Sequence, residues 1–256
     1  MVLLDAWRLA VGTLTAVPVR PPRVVDRRRA GLAMALAPLA VLPLGVLVTA
    51  IGYAGSRAAL PPLVVAVAAV GALVLGNRAF HVDGLADTVD GFAASYDRER
   101  ALAVMKTGTS GPAGVVAIVL VIGLQVTGLA SVLAGPHRLA AAVLAGATVC
   151  ASRAALALCC VRGVPSARPG GLGDTYTQTV RLPLMAAIWG LAALLLAWLG
   201  PLAGLAWWRG PVAVAAAAVA VAVLVVRAIR RLGGVTGDVF GAAVELALAA
   251  LLVSLS

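Results

Sequence analysis

Three aspartates lie close together in the segment HVDGLADTVDG (81–91). Asp83, Asp87 and Asp90 follow the spacing i, i+4, i+7, so on a helix all three side chains point from one face. Like charges at this spacing repel, and a divalent cation would make the arrangement favourable because hard cations bind carboxylate oxygens. The segment therefore predicts a metal site or phosphate chemistry. The alternative is the solvated face of a loop beside a membrane.

A second acidic pair lies in GGVTGDVFGAAVEL (233–246), where Asp238 and Glu245 are separated by two helical turns. Glu245 falls inside an apolar run, where a carboxylate is costly unless it is paired or functional. The glycines of this segment leave the backbone bare for close approach of a phosphate or of a neighbouring helix. The alternative is helix packing through small residues, with Glu245 paired to an arginine.

Two more polar residues could take part in the same chemistry. Arg153 is the only basic residue deep in an apolar run, and it could neutralise the carboxylates or bind a phosphate. The alternative for Arg153 is a guanidinium that reaches toward the membrane surface. His81 stands beside the three aspartates and could act as a base, a ligand or a structural residue.

Glycine-containing loops could add phosphate ligands. The segments MKTGTSGPAG (105–114) and RPGGLGDTYTQT (168–179) offer backbone amides that can cradle phosphate oxygens. In these loops and in segment 233–246 we expect substrate or phosphate contacts from Lys106, Gly171, Gly173, Asp174, Gly234, Gly237 and Glu245.

These residue types are typical of Mg²⁺-assisted phosphoryl transfer, in which the metal bridges phosphate oxygens and neutralises developing charge. The sequence contains no GxxxxGK[ST] loop of the kind that soluble nucleotide enzymes use. The residues alone thus predict a metal-dependent phosphotransferase and do not name its substrate.

The composition indicates that membrane-spanning helices position these residues. Of the 256 residues, 62% are hydrophobic and 12% are charged, whereas a soluble domain averages about 45–50% apolar and roughly 25% charged residues. We therefore exclude a soluble enzyme and predict an all-α, polytopic integral membrane protein with a single domain over residues 1–256. Apolar runs predict about seven transmembrane helices, at roughly 31–52, 59–80, 112–134, 139–161, 183–205, 211–229 and 238–255. The shorter apolar stretch 1–17 predicts an interfacial or re-entrant helix.

The basic residues predict the orientation of these spans. Fourteen of the 20 lysines and arginines fall on one side of the predicted membrane and three in the opposite loops. By the positive-inside rule, the N-terminus and both acidic segments lie at the cytoplasmic face of the plasma membrane. The net charge of +10 is thereby explained without nucleic acid as a partner. We expect contact with membrane lipid, and small residues such as Gly123 and Gly128 could support the helix contacts of a homo-oligomer.

Three motifs, in this order, resemble the cobalamin synthase family of adenosylcobinamide-GDP ribazoletransferases: HVDGLADTVDGF (81–92), YDRERALAVMKTGTSGPAGV (96–115) and GGVTGDVFGAAVEL (233–246). The resemblance covers the chain end to end. It implies a Mg²⁺-dependent reaction in which a ribose hydroxyl of α-ribazole, or of α-ribazole 5′-phosphate, attacks the cobinamide-bound phosphate of adenosylcobinamide-GDP and GMP leaves. The product would be adenosylcobalamin or its 5′-phosphate.

Roles for the site residues follow from this resemblance. The ligands of Mg²⁺ on the diphosphate would be Asp83, Asp87, Asp90 and Asp238, with Asp238 completing the metal site or orienting the nucleophile. Glu245 would stand behind Asp238. Arg153 and Lys106 would neutralise phosphate, and His81 would accept the proton of the attacking hydroxyl.

Two other functions stay open. One is a CDP-alcohol phosphotransferase of phospholipid synthesis, to which the aspartate–glycine motif is loosely similar. The other is a cation-coupled transporter, which would place acids along several spans and reach both faces of the membrane. The acids of this chain cluster on one side, which favours chemistry over transport.

Overall fold

The computed structural model describes residues 1–256, apart from the side chain of Leu172. Within that description the secondary structure is helical and no strand forms. The helices are α1 (Val2–Leu14), α2 (Arg27–Ala35), α3 (Ala37–Ala40), α4 (Leu42–Arg57), α5 (Pro62–Gly76), α6 (Phe80–Ala94), α7 (Arg98–Val104), α8 (Pro112–Leu133), α9 (Arg138–Ser152), α10 (Ala154–Cys159), α11 (Leu172–Tyr176), α12 (Leu182–Leu202), α13 (Arg209–Leu232) and α14 (Gly237–Leu255). The predicted all-α membrane fold is confirmed.

The predicted count of seven spans is not confirmed. In the described chain, five helical stretches are long and apolar enough to cross a membrane, namely α8, α9 with α10, α12, α13 and α14. A sixth span results if α5 and α6, which meet at 87°, are counted as one broken span. Arg78 and Ala79 produce this break because both adopt positive φ angles, of 60° and 58°, which residues with side chains rarely do.

The predicted span at 31–52 is divided among α2, α3 and α4. Pro38 and Pro43 stand in the first turns of α3 and α4, positions that tolerate a residue without a backbone N–H. The longest piece, α4, has 16 residues, fewer than the 20 or so that a perpendicular span needs.

The predicted N-terminal helix forms as α1. Its Ala6, Ala10 and Leu14 are buried, and the helix packs against α2 and α3. Leu3, Leu4 and Trp7 on its other face are exposed. This two-sided character suits a helix that lies in a membrane interface, and its interfacial position stays a prediction.

The two acidic segments meet where α6 packs against α14. A Cβ placed on Gly84 would lie 2.7 Å from the carbonyl oxygen of Asp238, and one on Gly241 would lie 2.9 Å from Cα of His81. Glycines from both helices thus allow their backbones to touch, as small residues do at helix contacts in membranes. This contact brings Asp83 and Asp238 to the same place in the fold.

Candidate active site

A cavity of about 480 Å³ lies at the start of α6 and α14. Its polar lining includes Thr13 of α1, Arg78 at the break before α6, and residues of both acidic segments and of the loop before α11, namely His81, Asp83, Ser166, Arg168, Thr236 and Asp238. Its apolar lining includes Leu14, Leu156, Tyr176 and Phe240. A pocket of this size, apolar with a few convergent polar groups, is typical of a small-molecule site.

The carboxylates around the cavity concentrate negative charge. Asp83 and Asp238 line the cavity, whereas Asp87 does not. Asp87 still lies close enough to both for their charges to act on it, and Arg168 supplies opposite charge. Hard oxygen donors held together in this way fit a divalent cation such as Mg²⁺. Among the described residues, no three His, Cys, Asp or Glu side chains already stand in a metal-binding cluster.

Asp90 is oriented differently from the other two aspartates of α6. Its carboxylate accepts hydrogen bonds from the backbone N–H groups of Gly111 (2.6 Å) and Gly114 (2.8 Å) at the N-terminus of α8. At 1.5 Å of rise per residue, Asp90 lies about 10 Å along the helix from Asp83, too far for both to bind one ion. These hydrogen bonds connect α6 to the start of α8, and the part of Asp90 in metal binding stays a prediction.

The loop that carries Arg168 is tied to the start of α14. Ala167 N donates to Val235 O and Val235 N donates to Pro165 O, each at 2.9 Å. Gly234 is buried against this loop, because a Cβ there would lie 2.6 Å from the carbonyl carbon of Ser166. Gly234 therefore packs against backbone, and it is Arg168 that lines the cavity.

Of the other residues predicted to contact phosphate, some line the cavity and others do not. Gly171, Gly173 and Gly237 line the cavity, and their contacts with phosphate stay predictions. Asp174 accepts a hydrogen bond from Gly170 N at 2.9 Å and so stabilises its own loop. Lys106 is exposed and is not among the residues that line the cavity.

A buried polar cluster lies behind the cavity and consists of Asn77, His81, Gln125, Arg153 and Glu245. Glu245 Oε2 accepts a hydrogen bond from Gln125 Nε2 at 2.7 Å. His81 Nδ1 lies 3.7 Å from Glu245 Oε1 and 3.3 Å from Asn77 Nδ2. Since His81 also lines the cavity, it connects the cavity to this cluster.

Arg153 is fully buried and does not line the cavity. Its Nη1 donates to Val149 O at 3.1 Å and to Ser152 Oγ at 2.8 Å, and its charge interacts with that of Glu245. Among the described residues, Nε and Nη2 have no hydrogen-bond partner. Arg153 and Glu245 both lie behind His81 but form no ion pair within 4.0 Å among the described side chains, and the phosphate contacts expected of them stay predictions.

Sequence reasoning did not single out Ser166, Tyr176 or Phe240 as site residues. The rings of Tyr176 and Phe240 meet edge to face, with centroids 6.4 Å apart. Burial raises the pKa of Tyr176, so its hydroxyl stays protonated and can donate a hydrogen bond near neutral pH. The available signal was that Tyr176 falls within the glycine-containing segment 168–179 and Phe240 within the acidic segment 233–246.

Gln125→Leu should lower the free energy of unfolding by about 1–3 kcal/mol, because the carboxylate of Glu245 would lose its donor while remaining buried. The measurement is the thermal unfolding midpoint of the purified protein in detergent. Thr127→Val on the same helix is the control, since Thr127 is exposed and donates only within α8. Equal midpoints for the two variants would contradict a stabilising link between α8 and α14.

The comparisons with known proteins cover the whole chain. The model of the family described as cobalamin-5-phosphate synthase matches residues 6–256. A protein of Nocardioides sp. named adenosylcobinamide-GDP ribazoletransferase is 55% identical, over 98% of this chain and 97% of the relative. Relatives of the same name from Frankia casuarinae and Pseudomonas paraeruginosa are each 37% identical, over 98% and 99% of this chain and 93% and 98% of their own lengths. No solved structure matches the chain.

Proposed function

Because the chain belongs to the cobalamin-5-phosphate synthase family, we propose that it is the enzyme that joins α-ribazole, or α-ribazole 5′-phosphate, to adenosylcobinamide-GDP. The family makes it a transferase of cobalamin biosynthesis. The finer proposal concerns the substrates, the dependence on Mg²⁺ and the residues of the site. The observation that carries it is the convergence of Asp83, Asp238 and Arg168 on one cavity.

The phosphate-binding part of the proposal rests on the charges around the cavity. Asp83, Asp87 and Asp238 would hold Mg²⁺, which when bound would neutralise the diphosphate of the substrate. The guanidinium of Arg168 can donate to phosphate oxygens. The bare backbone of Gly171 and Gly173 allows close approach of the same group.

The bond changes of the proposed reaction balance without an additional reagent. The ribose hydroxyl oxygen forms a bond to the cobinamide-bound phosphorus, and the bond from that phosphorus to the bridging oxygen of the diphosphate breaks. GMP leaves with the bridging oxygen and its electron pair. The hydroxyl loses its proton to a base in the cavity, and charged groups fixed in advance stabilise the transition state.

His81 is the proposed base. A proton on Nδ1, directed toward Glu245 Oε1 at 3.7 Å, would leave Nε2 free to accept a proton. The Oδ1 atom of Asn77 has no partner among the described atoms. An Asn77 amide turned by 180° would present that oxygen to Nδ1–H, and the cluster would then fix the tautomer that the base requires.

We also propose that the cavity opens toward the cytoplasm. Arg98, at the start of α7, donates a 2.9 Å hydrogen bond from Nη2 to Ala167 O, in the loop that also carries Arg168. Arg231 binds the end of α6 on the same side, through the carbonyl of Phe92 at 3.0 Å. Basic residues concentrated on one side favour the cytoplasmic face.

The direct test is GMP release by the purified protein. With adenosylcobinamide-GDP, α-ribazole and Mg²⁺ all present, GMP should form, and omission of either α-ribazole or Mg²⁺ should reduce its formation to background. Excess EDTA should abolish release, and added Mg²⁺ should restore it. Undiminished release in EDTA would contradict the metal requirement, and ion flux in liposomes without GMP release would favour a transporter.

A further inference from the structure

A second groove, which the proposed reaction does not use, is lined by four arginines. The groove has a volume of about 660 Å³, and its basic lining is Arg27, Arg28, Arg162 and Arg181. None of its lining residues is acidic. We call it the arginine groove.

The positive charge of the arginine groove is not neutralised by the protein. Among the described side chains, the ion pairs of arginine are those of Arg29 with Asp5 and Asp26, so no arginine of the groove has a carboxylate within 4.0 Å. Four like charges around one depression repel one another. A bound anion would remove that repulsion.

Three of the four guanidinium groups are also free to donate hydrogen bonds. Arg27 is occupied, because it donates to the carbonyl oxygens of Asp174 (3.3 Å) and Thr177 (2.9 Å). In the part of the chain that the structure describes, the side chains of Arg28, Arg162 and Arg181 form no hydrogen bond, and all three are exposed. Guanidinium forks of this kind match the oxygens of a phosphate.

The backbone around the arginine groove holds these residues in place. Arg162 N donates to Val180 O at 2.9 Å and Val180 N donates to Cys160 O at 3.0 Å, which keeps Arg162 beside Arg181. A Cβ on Gly31 would lie 2.9 Å from Cβ of Thr179, so α2 packs directly on this segment. The groove is therefore a fixed feature of the fold.

The position of the groove indicates which anion it meets. Arg181 immediately precedes the first residue of α12, a candidate span of which only 22% is buried within the protein. Leu182 and Leu184, next along the chain, are 62% and 42% exposed. Apolar surface thus adjoins the arginines at the point where a span begins, which is the level of the lipid headgroups.

We propose that the arginine groove binds the phosphate of an anionic phospholipid. The lipid headgroup contacts Arg28, Arg162 and Arg181, and its acyl chains lie along the exposed face of α12. The site is separate from the cavity at Asp83 and does not depend on the proposed transferase activity.

The test compares two double variants in detergent, with lipid binding followed by native mass spectrometry. R162Q/R181Q should bind phosphatidylglycerol about 10- to 30-fold more weakly than the unchanged protein. R57Q/R138Q removes the same charge from two exposed arginines outside the groove and should bind as the unchanged protein does. Phosphatidylcholine should bind weakly to all three proteins.

Equal binding of phosphatidylglycerol by the two double variants would overturn the proposal. So would binding of inorganic phosphate alone that depends on Arg162 and Arg181 while phosphatidylglycerol binding does not. If R162Q/R181Q does not fold, R28Q/R181Q serves in its place, because the side chain of Arg28 is exposed and bonds to nothing in the described structure. If R162K/R181K binds phosphatidylglycerol as the unchanged protein does, the positive charge at these two positions is what the lipid phosphate recognises.

Discussion

Asp83→Asn should reduce GMP release by about 10²- to 10³-fold, the range found when one preorganised electrostatic contact to a transition state is removed. The substitution keeps the size of the side chain and removes the charge that faces the cavity. The same reduction is expected for Asp238→Asn, because the two carboxylates enter the cavity from different helices. The measurement is the initial rate of GMP release at saturating Mg²⁺ and again over a range of Mg²⁺ concentrations.

The matched control is Asp97→Asn. Asp97 is exposed and caps α7 by accepting a hydrogen bond from Arg100 N at 2.8 Å, and asparagine caps helices about as well. This variant should retain full activity. If Asp83→Asn and Asp238→Asn both worked at nearly the normal rate, the proposed metal site would be wrong. A higher Mg²⁺ requirement in the two site variants would separate lost metal binding from general damage.

Gly84→Ala is expected to have the second largest effect. The new Cβ would lie 2.7 Å from Asp238 O and 3.0 Å from Asp238 Cα, distances that force α6 and α14 apart. Overpacking of this kind costs about 1–3 kcal/mol, and a displacement of about 1 Å between reacting groups can lower a rate about 10²-fold. We therefore expect a measurably lower unfolding midpoint together with a loss of GMP release of about 10²-fold.

Gly190→Ala controls for the change of residue type. Gly190 lies within α12, and a Cβ there meets no described atom within 4 Å. Alanine favours a helix over glycine by about 1 kcal/mol, so this variant should be as stable as the unchanged protein or more so, with unchanged GMP release. Full activity of Gly84→Ala would show that the α6–α14 contact does not position the aspartates.

The acidic residues of the candidate site could be selected from the sequence because the relevant signals were local. The helical spacing of Asp83, Asp87 and Asp90, and that of Asp238 with Glu245 inside an apolar run, pointed to one candidate site before any fold was known. The different role of Asp90 was less visible. Helical periodicity places it on the same face as Asp83, but its partners, Gly111 and Gly114, belong to another helix.

Other features could not be predicted because they depend on contacts distant in sequence. The sequence offered Arg168 as one possible phosphate donor of segment 168–179, but its entry into the cavity depends on the pairing of its loop with Val235, which leaves no local pattern. The number of spans depended on the backbone break at Arg78 and Ala79. The hydropathy of the sequence does not reveal such a break. The placement of Arg153 behind the cavity required the packing of α9 and α10 against α14.

The buried arginine has a consequence for how the protein is made. Arg153 leaves the ribosome 92 residues before Glu245, which at about 5–20 residues per second is an interval of roughly 5–20 s. If the helix that carries Arg153 inserts during that interval, a charged side chain at a helix centre costs about 2.5–3.5 kcal/mol of insertion free energy. Glu245 has not yet been synthesised at that point. A helix that is synthesised later, α14, therefore brings the opposite charge of Glu245 toward an arginine that was inserted earlier.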